Sequence, residues 1–164
     1  MAPDDRTRSS LAALAAGDLA SFHGLGPHDD RAAAESAFGP SEPGEDGVGP
    51  LMGVLTRFRR YLPLHVAPYG IVVWFAGDEV LLVEVQSPAL DAADLLPLGE
   101  PEATAPSGLA PLHDQLVWAS RGLAAHVSRA TGGILALFAF APMTTDAFAA
   151  WLGEARGPKR VRRA

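Results

Sequence analysis

A recurrence within the chain restricts its possible folds more than any other feature of the sequence. Positions 80, 88 and 98 correspond to positions 134, 142 and 152, so the second copy follows the first at a spacing of 54 residues. A fixed period of this kind predicts repetition of one supersecondary unit. The segments that match at this spacing are 80–88 with 134–142 and Leu98-Gly99-Glu100 with Leu152-Gly153-Glu154. Residues 70–75 match 122–127 at a spacing of 52, because the first hairpin loop is two residues shorter.

The repeated unit is predicted to be a β-hairpin followed by a helix. The first hairpin is rich in β-branched and aromatic residues, and Ala76-Gly77-Asp78 is its turn signal. Each helical segment begins at a proline and ends before a glycine. The predicted strands are 70–75, 79–85, 122–128 and 133–141, and the predicted helices are 88–98 and 142–152. We therefore predict an α+β protein whose tandem helix–β-hairpin repeats form an antiparallel sheet packed against helices.

Flanking segments complete this outline. A helix is predicted from Ser9 or Ser10, because either side chain can cap it, and another over 31–38. Residues 40–50 hold three prolines and three glycines and are predicted to be a loop. Two more predicted strands are 58–66 and 115–120. The predicted divisions are an N-terminal helix (1–24), a first α+β repeat (25–87), a second repeat with a C-terminal helix (88–153) and a disordered basic tail (154–164).

Short turns at the predicted helix ends suggest a family likeness. Phe38-Gly39-Pro40 and Leu98-Gly99-Glu100-Pro101 each lead from a helix towards antiparallel strands. This arrangement resembles the tandem α+β repeat of BamE and the β-lactamase-inhibitor proteins over roughly residues 25–141. The resemblance implies a protein-binding scaffold without catalytic residues. Lipoprotein members of that group carry an export signal and a lipidated cysteine, neither of which we find, so we expect no envelope role.

Charge and cysteine content restrict the partners. The formal net charge is −6, but Arg156, Lys159, Arg160, Arg162 and Arg163 all lie in the last nine residues. Eight basic and nineteen acidic residues remain in 1–155, which leaves a net charge of −11. Such an acidic body disfavours nucleic acid as a partner. The absence of cysteine excludes thiol chemistry, and we expect a cytoplasmic protein without a membrane span.

Strand alternation predicts which residues share a face of the sheet. One face is predicted to hold Leu81, Val83 and Val85, with the repeat adding Leu135, Leu137 and Ala139. The other face is predicted to hold Val80, Leu82, Glu84 and Gln86, with the repeat adding Ile134, Ala136, Phe138 and Phe140. Because of its polar members, this second face is expected to be the more solvated one.

Aromatic residues on the second face are the candidate partner-binding site. Phe138 occupies the repeat position of Glu84, and Phe140 follows it on the same face. Trp74 and His126 are equivalent positions of the preceding strands and are assigned to this face as well. Aromatic side chains on exposed sheet often mark a protein contact. The alternative is that helices cover these residues and make them core.

Arginines next to aromatic residues form a second candidate contact. Arg59 and Arg60 lie between the aromatic residues Phe58 and Tyr61 in the strand-like segment 58–66. Guanidinium groups here could hold an anionic loop of a partner through paired hydrogen bonds. The alternative interpretation is a solvated strand edge.

No arrangement in the sequence predicts catalysis. No serine lies in a nucleophile-elbow motif. The glycine-containing segments 24–29 and 47–53 follow no predicted strand, which a phosphate-binding loop requires. The carboxylates form no convergent pair. His23 and His28 lie near Asp29 and Asp30, but their spacing fits polar helix ends better than metal ligation. We therefore predict no catalytic residue, no metal and no cofactor, and we leave the enzyme question open.

The leading hypothesis is a non-enzymatic protein-binding module, with an inhibitor or immunity-type role as its concrete form. It rests on the repeat, the resemblance and the aromatic face. One alternative is a small-molecule-binding protein or cryptic enzyme with a cavity between sheet and helices, in which His126 and Glu84 would be the polar groups. A second alternative is a homo-oligomeric structural subunit joined through the aromatic face.

Overall fold

An eight-stranded antiparallel sheet organises the molecule. The computed structural model describes residues 3–16, 24–26, 28–38, 46–51, 54–61 and 70–156. The strands are β1 (Asp46–Leu51), β2 (Val54–Tyr61), β3 (Gly70–Ala76), β4 (Glu79–Gln86), β5 (Ala103–Pro106), β6 (His113–Trp118), β7 (Leu123–Ser128) and β8 (Ile134–Phe140). The helices are α1 (Pro3–Ala15), α2 (Arg31–Phe38) and α3 (Thr145–Arg156), with 3₁₀ helices at Ala92–Leu98 and Ala119–Arg121. The α+β class predicted from the sequence is confirmed.

The strand order divides the sheet into two halves. The strands lie in the order β1-β2-β3-β4-β8-β7-β6-β5, with antiparallel neighbours throughout. Each half is therefore a meander of four consecutive strands, and the halves meet where β4 pairs with β8. At the centre of this pair Glu84 lies opposite Phe138. The long central strands are buried on both faces, which explains why β3 is an almost uninterrupted apolar run.

Apolar side chains form a core on each side of the sheet. On what we call the first face, residues of β3, β4, β7 and β8 pack against α1, α2 and the 3₁₀ helix Ala92–Leu98. On the second face, a separate cluster includes Trp74, Phe138 and Phe140 and extends to Phe148 of α3. Because both faces are covered near the centre of the sheet, strand alternation does not separate core from surface there.

Side-chain caps fix where the 3₁₀ helix Ala92–Leu98 begins. The Asp91 carboxylate accepts the Ala93 N–H at 2.8 Å, and the Asp94 carboxylate accepts the Asp91 N–H at 3.0 Å. This reciprocal pair satisfies amide groups that have no partner within the helix. Arg8 of α1 donates to Asp94 at 3.0 Å, which ties α1 to the same helix.

Matching bridges join a helix start to each half of the sheet. Asp30, next to α2, forms an isolated antiparallel bridge with Glu79 at the start of β4. Asp91 forms the corresponding bridge with Gly133, next to the start of β8. Each half of the sheet thus has a capped helix attached to the beginning of its last strand.

Several predicted boundaries differ from the structure. The predicted loop 40–50 contains β1 from Asp46 onwards, and β5 was not predicted at all. Both are edge strands that contain proline, which an edge tolerates because half of its amide groups have no partner strand. α1 begins at Pro3 instead of Ser9 or Ser10, in agreement with the preference for proline in the first helical turn. α3 reaches Arg156, two residues into the predicted tail, and 157–164 lie outside the described residues.

Two β-bulges change the predicted faces at the hairpin turns. Between β3 and β4 the register shifts after Trp74, so that Leu82 pairs with Trp74 but Val80 pairs with Phe75. The extra residue, Leu81, packs against the second-face cluster, whereas Val80 lies in the first-face core. A one-residue shift exchanges the faces of all residues beyond it.

The bulge between β7 and β8 has the same effect. There His126 pairs with Ala136 and Val127 pairs with Ile134, which leaves Leu135 as the extra residue. Ile134 lies in the first-face core. The predicted faces of Val80, Leu81 and Ile134 are therefore wrong.

Candidate functional site

The aromatic residues of the candidate partner-binding site share the second face of the sheet, as alternation predicts, but they are buried in the protein interior. Trp74, His126, Phe138 and Phe140 are each less than a tenth exposed. The expectation of a solvated aromatic surface is therefore wrong for this conformation, and the alternative interpretation of these residues as core describes it better. Their role in partner binding stays a prediction.

α3 covers part of this face. Phe148 stacks on Phe140 with ring centroids 5.2 Å apart, and Trp151 meets the same ring edge-on at 5.7 Å. The start of the covering segment is fixed by a hydrogen bond from the Met143 N–H to the Ala119 carbonyl. Local sequence patterns predict α3 itself, but its docking position depends on contacts with distant strands.

The Glu84 carboxylate of β4 lies opposite Phe138 in the sheet and is the centre of a small polar network. The Trp74 indole N–H donates to one oxygen of the Glu84 carboxylate at 2.9 Å. The Gln86 side-chain amide donates to the other oxygen at 2.9 Å. Both carboxylate oxygens thus have donors from neighbouring side chains, which stabilises a partly buried charge. This network fixes three side chains of the sheet relative to one another.

His126 of β7 is a buried titratable residue in the half of the sheet formed by β5 to β8. Its Nδ1 lies 2.7 Å from the Ser107 hydroxyl, and its Nε2 lies 3.4 Å from the Gln115 amide nitrogen. The ring also contacts Phe138 edge-on, with centroids 5.2 Å apart. Burial, with a smaller contribution from nearby His113, lowers the pKa of His126 to about 4. The imidazole is therefore neutral at pH 7, and both ring nitrogens have polar neighbours.

This geometry does not make Ser107 and His126 a catalytic dyad. A general base works best when its pKa lies near the operating pH, whereas the pKa of His126 is well below it. The Ser107 oxygen also accepts the Leu109 N–H at 3.0 Å, as in a local turn. The contacts fit a neutral imidazole whose Nδ1–H donates to the Ser107 hydroxyl oxygen and whose Nε2 accepts from the Gln115 side-chain amide. Tautomer assignment follows from this hydrogen-bond network.

Arg59 and Arg60 are placed only through their backbone. Both lie in β2, where Arg59 pairs with Val73 and Arg60 pairs with Val72 of β3. Their side chains are outside the described part of the structure, so the predicted contact through guanidinium groups stays a prediction.

Other carboxylates stabilise the fold. Glu102 accepts the Ser120 N–H at 3.0 Å and the Ser120 hydroxyl. Desolvation is the largest influence and acts in the opposite direction, but these hydrogen bonds hold the pKa of Glu102 below its usual value. Asp114 accepts two hydrogen bonds from Arg129, which lower the pKa of its carboxyl. Each of these groups therefore has a structural partner.

Four carboxylates gather at one end of β4, in what we call the acidic corner: Asp29, Asp30, Asp78 and Glu79. The bridge between Asp30 and Glu79 brings the two sequence segments together. Arg31 lies over the Phe75 ring at 4.4 Å, and its Nε is 3.9 Å from Asp78. The Asp78 side chain remains 88 % exposed. Four carboxylates and one guanidinium give this corner an excess of negative charge.

The structure also exposes residues that sequence reasoning missed. Leu109 and Leu112 are 55 % and 69 % exposed, and both belong to the β5–β6 connection. We call this connection, residues 107–112, the leucine loop. The sequence offers one signal for these residues: two leucines stand among Gly, Ala and Pro between two predicted elements. Side chains in such a connection are not expected to pack in the core, so leucines there are expected to be exposed.

Metal ligation has no support in the described residues. Among them no group of three or more His, Cys, Asp and Glu side chains could hold a metal ion. His28 lies near Glu79 at 3.3 Å with both side chains largely exposed, and His23 is outside the described ranges. Within the same part of the chain, no helix combines the length and the apolar character needed to cross a membrane.

Comparison with known proteins gives a fold relationship. No family model and no curated protein matches the chain. Among solved structures, the fold is similar to that of a DUF4309 family protein, YjgB, from Bacillus subtilis. The match has a TM-score of 0.55 and 11 % sequence identity, and it covers 84 % of this chain and 99 % of the other. At this identity the match concerns the fold alone.

Proposed function

We propose that the protein is a non-enzymatic protein-binding module that meets a basic partner, in the manner of an inhibitor or immunity protein. The observation that carries the proposal is the distribution of charge. Residues 1–155 have eight basic and nineteen acidic residues, and the fold concentrates four of these acids in the acidic corner. A field of this sign accelerates association with positively charged proteins and repels nucleic acid.

The polar groups of the second face support a binding role over a catalytic one. The Glu84 carboxylate is engaged by Trp74 and Gln86, and the His126 ring is engaged by Ser107 and Gln115. A reacting substrate would need a base or nucleophile that has an accessible lone pair and a suitable pKa. In the described residues these groups hold one another instead.

We also propose that the fold is a duplicated unit of one capped helix and one four-stranded meander. The bulges support this, because Trp74 and His126 adjoin them at equivalent sequence positions. So does the central pairing, since Glu84 faces Phe138, its counterpart at the 54-residue spacing. In the proposed duplication, α2 precedes the meander β1–β4 and the 3₁₀ helix Ala92–Leu98 precedes the meander β5–β8. α3 then lies outside the repeated unit. Kinship with BamE and the β-lactamase-inhibitor proteins remains part of this proposal.

The experiment is capture of a partner at two ionic strengths. Tagged full-length protein is incubated with lysate of cells that produce it naturally, in about 50 mM and about 500 mM NaCl, and bound proteins are identified by mass spectrometry. We expect one stoichiometric, basic protein whose association rate, once it is purified, falls about tenfold or more at the higher salt.

A charge variant and a matched control isolate the electrostatic contribution. Asp78→Asn with Glu79→Gln removes two exposed charges, whereas Asp78→Glu with Glu79→Asp keeps them. We expect the neutral variant to associate about two- to threefold more slowly and the control to match the wild type. Absence of any stoichiometric partner, or a partner whose association is insensitive to salt, would refute the proposal.

A further inference from the structure

The pair of strands that joins the two halves of the sheet, which we call the seam, is symmetric. In the seam β4 of the first half (β1–β4) pairs with β8 of the second half (β5–β8), and Glu84 lies opposite Phe138, its counterpart at the 54-residue spacing. Leu82 lies opposite Phe140, which is the counterpart of Gln86. β4 and β8 therefore meet as two copies of one strand meet across a two-fold axis.

Each half is held together by contacts of its own. The Asp29 carbonyl accepts the Val80 N–H at 2.7 Å, and the Leu90 carbonyl accepts the Ile134 N–H at 3.0 Å. Val80 and Ile134 are again 54 residues apart. In each half the segment before the capped helix is thus fastened to the last strand of the same half. A half can therefore move away from the other without losing the contact between its own helix and its own strands.

The connection between the halves is strained. Ser87, the first residue after β4, has φ of 48°, in the left-handed region that disfavours residues with a Cβ. Pro88 follows it, and a residue before proline prefers an extended backbone. At the counterpart position after β8, Ala141 precedes Pro142, and its φ is not positive. The strain thus belongs to the connection that folds the second half back onto the first.

We infer that this connection is a hinge through which two copies of the chain exchange halves and form a dimer. In the exchanged dimer the hinge is extended, so Ser87 takes the backbone conformation that Pro88 favours. β4 of each copy pairs with β8 of the other in the register seen within one chain, so no new interface is required. A short hinge under strain favours such exchange. The inference goes beyond the proposed binding role and does not depend on it.

An ion pair between the halves marks which copy supplies each half. Arg8 of α1 lies 3.0 Å from the Asp94 carboxylate of the 3₁₀ helix Ala92–Leu98, and the two residues stand on opposite sides of the hinge in sequence. In a single chain, and in a dimer joined through outer surfaces, both partners of the pair come from one copy. In an exchanged dimer they come from different copies.

The first test measures dimerisation of the full-length protein. Each protein is unfolded in urea and refolded at about 10 µM and about 1 mM, and its mass is measured by size-exclusion chromatography with light scattering. We expect a dimer at the higher concentration. Ser87→Gly relieves the strain in both closed chains that form a dimer, so it should lower the association constant about 10- to 100-fold. Ala141→Gly, the matched control before a proline without positive φ, should leave it unchanged.

Two results of this test overturn the inference. One is a protein that stays monomeric at the higher concentration. The other is a dimer whose association constant changes equally in Ser87→Gly and Ala141→Gly, because the hinge strain would then have no part in its formation.

The second test asks whether the dimer is an exchanged one. Arg8→Asp places two acids at the ion pair and Asp94→Arg places two arginines there, so each variant alone has like charges facing each other in every arrangement. When the two variants are unfolded and refolded together, an exchanged heterodimer restores both opposite-charge pairs. The cap that Asp94 gives the Asp91 N–H is lost equally in every arrangement of the second variant.

Native mass spectrometry counts the resulting dimers, with ¹⁵N-labelled and unlabelled wild type refolded together as the control. We expect the ratio of heterodimer to homodimers to exceed the control ratio about threefold or more. A ratio equal to the control overturns the exchange, since it would show a dimer joined through outer surfaces. The proposed binding role would stand in either case.

Discussion

Stability should depend on pH through the buried His126. Its pKa is about 4 in the folded protein, against an ordinary value of 6.5, because burial disfavours the charged ring. Between these values the unfolded chain binds a proton that the folded protein does not. The free energy of unfolding should therefore rise with pH from about 4 to 6.5 and be fully present above 6.5.

The magnitude follows from the size of this shift. A difference of about 2.5 pH units corresponds to about 3 kcal/mol, at 1.36 kcal/mol per unit. With a urea dependence of about 1–3 kcal/mol per molar, the unfolding midpoint should fall by about 1–3 M between pH 7 and pH 4. This is a large part of the stability of a domain of this size.

The assay must separate His126 from carboxylates that titrate in the same range. Urea unfolding of the wild type and of His126→Gln, followed by tryptophan fluorescence from pH 4 to 8, gives that separation as a difference between two curves. Glutamine keeps a polar group near Ser107 and Gln115 but does not titrate. The wild type should lose about 3 kcal/mol more than the variant on acidification, and parallel curves would refute the assignment of a neutral, buried imidazole.

Two further substitutions test the packing and the capping. Gly122 has φ of 68°, and a Cβ there would lie 2.1 Å from the Phe140 carbonyl oxygen, so Gly122→Ala should lower the free energy of unfolding by about 3 kcal/mol or more. Gly108→Ala is its control, since a Cβ there meets nothing within 4 Å; equal midpoints for the two variants in thermal unfolding would contradict this packing. Asp91→Ala should cost about 1 kcal/mol in urea unfolding, because the Ala93 N–H loses its cap, and an unchanged midpoint would argue against the capping box.

The sequence predicted the central hairpins well because their signals are local. β3 and β4 lie within one or two residues of the predicted strands, since β-branched runs and the Gly77-Asp78 turn are short-range features. The edge strands were harder to recognise. β1 and β5 contain Pro50 and Pro106, and proline weakens the strand signal although a sheet edge accommodates it.

The candidate site was predicted in part. Alternation correctly places Trp74 and His126 on the second face together with Phe138, because the period of two holds along each uninterrupted strand. It fails at Val80, Leu81 and Ile134, where a bulge adds one residue. A bulge is defined by the pairing of two strands, so the sequence of either strand alone does not predict it.

By itself, the sequence determined the α+β class, the two central hairpins, the acidic body and the absence of thiol chemistry. These properties depend on composition and on patterns within about ten residues of each other. Tertiary structure decided which surfaces are available. Docking of α3 covers Phe140, and the β5–β6 connection leaves Leu109 and Leu112 exposed. Exposure is a property of contacts between distant segments, and local patterns therefore do not encode it.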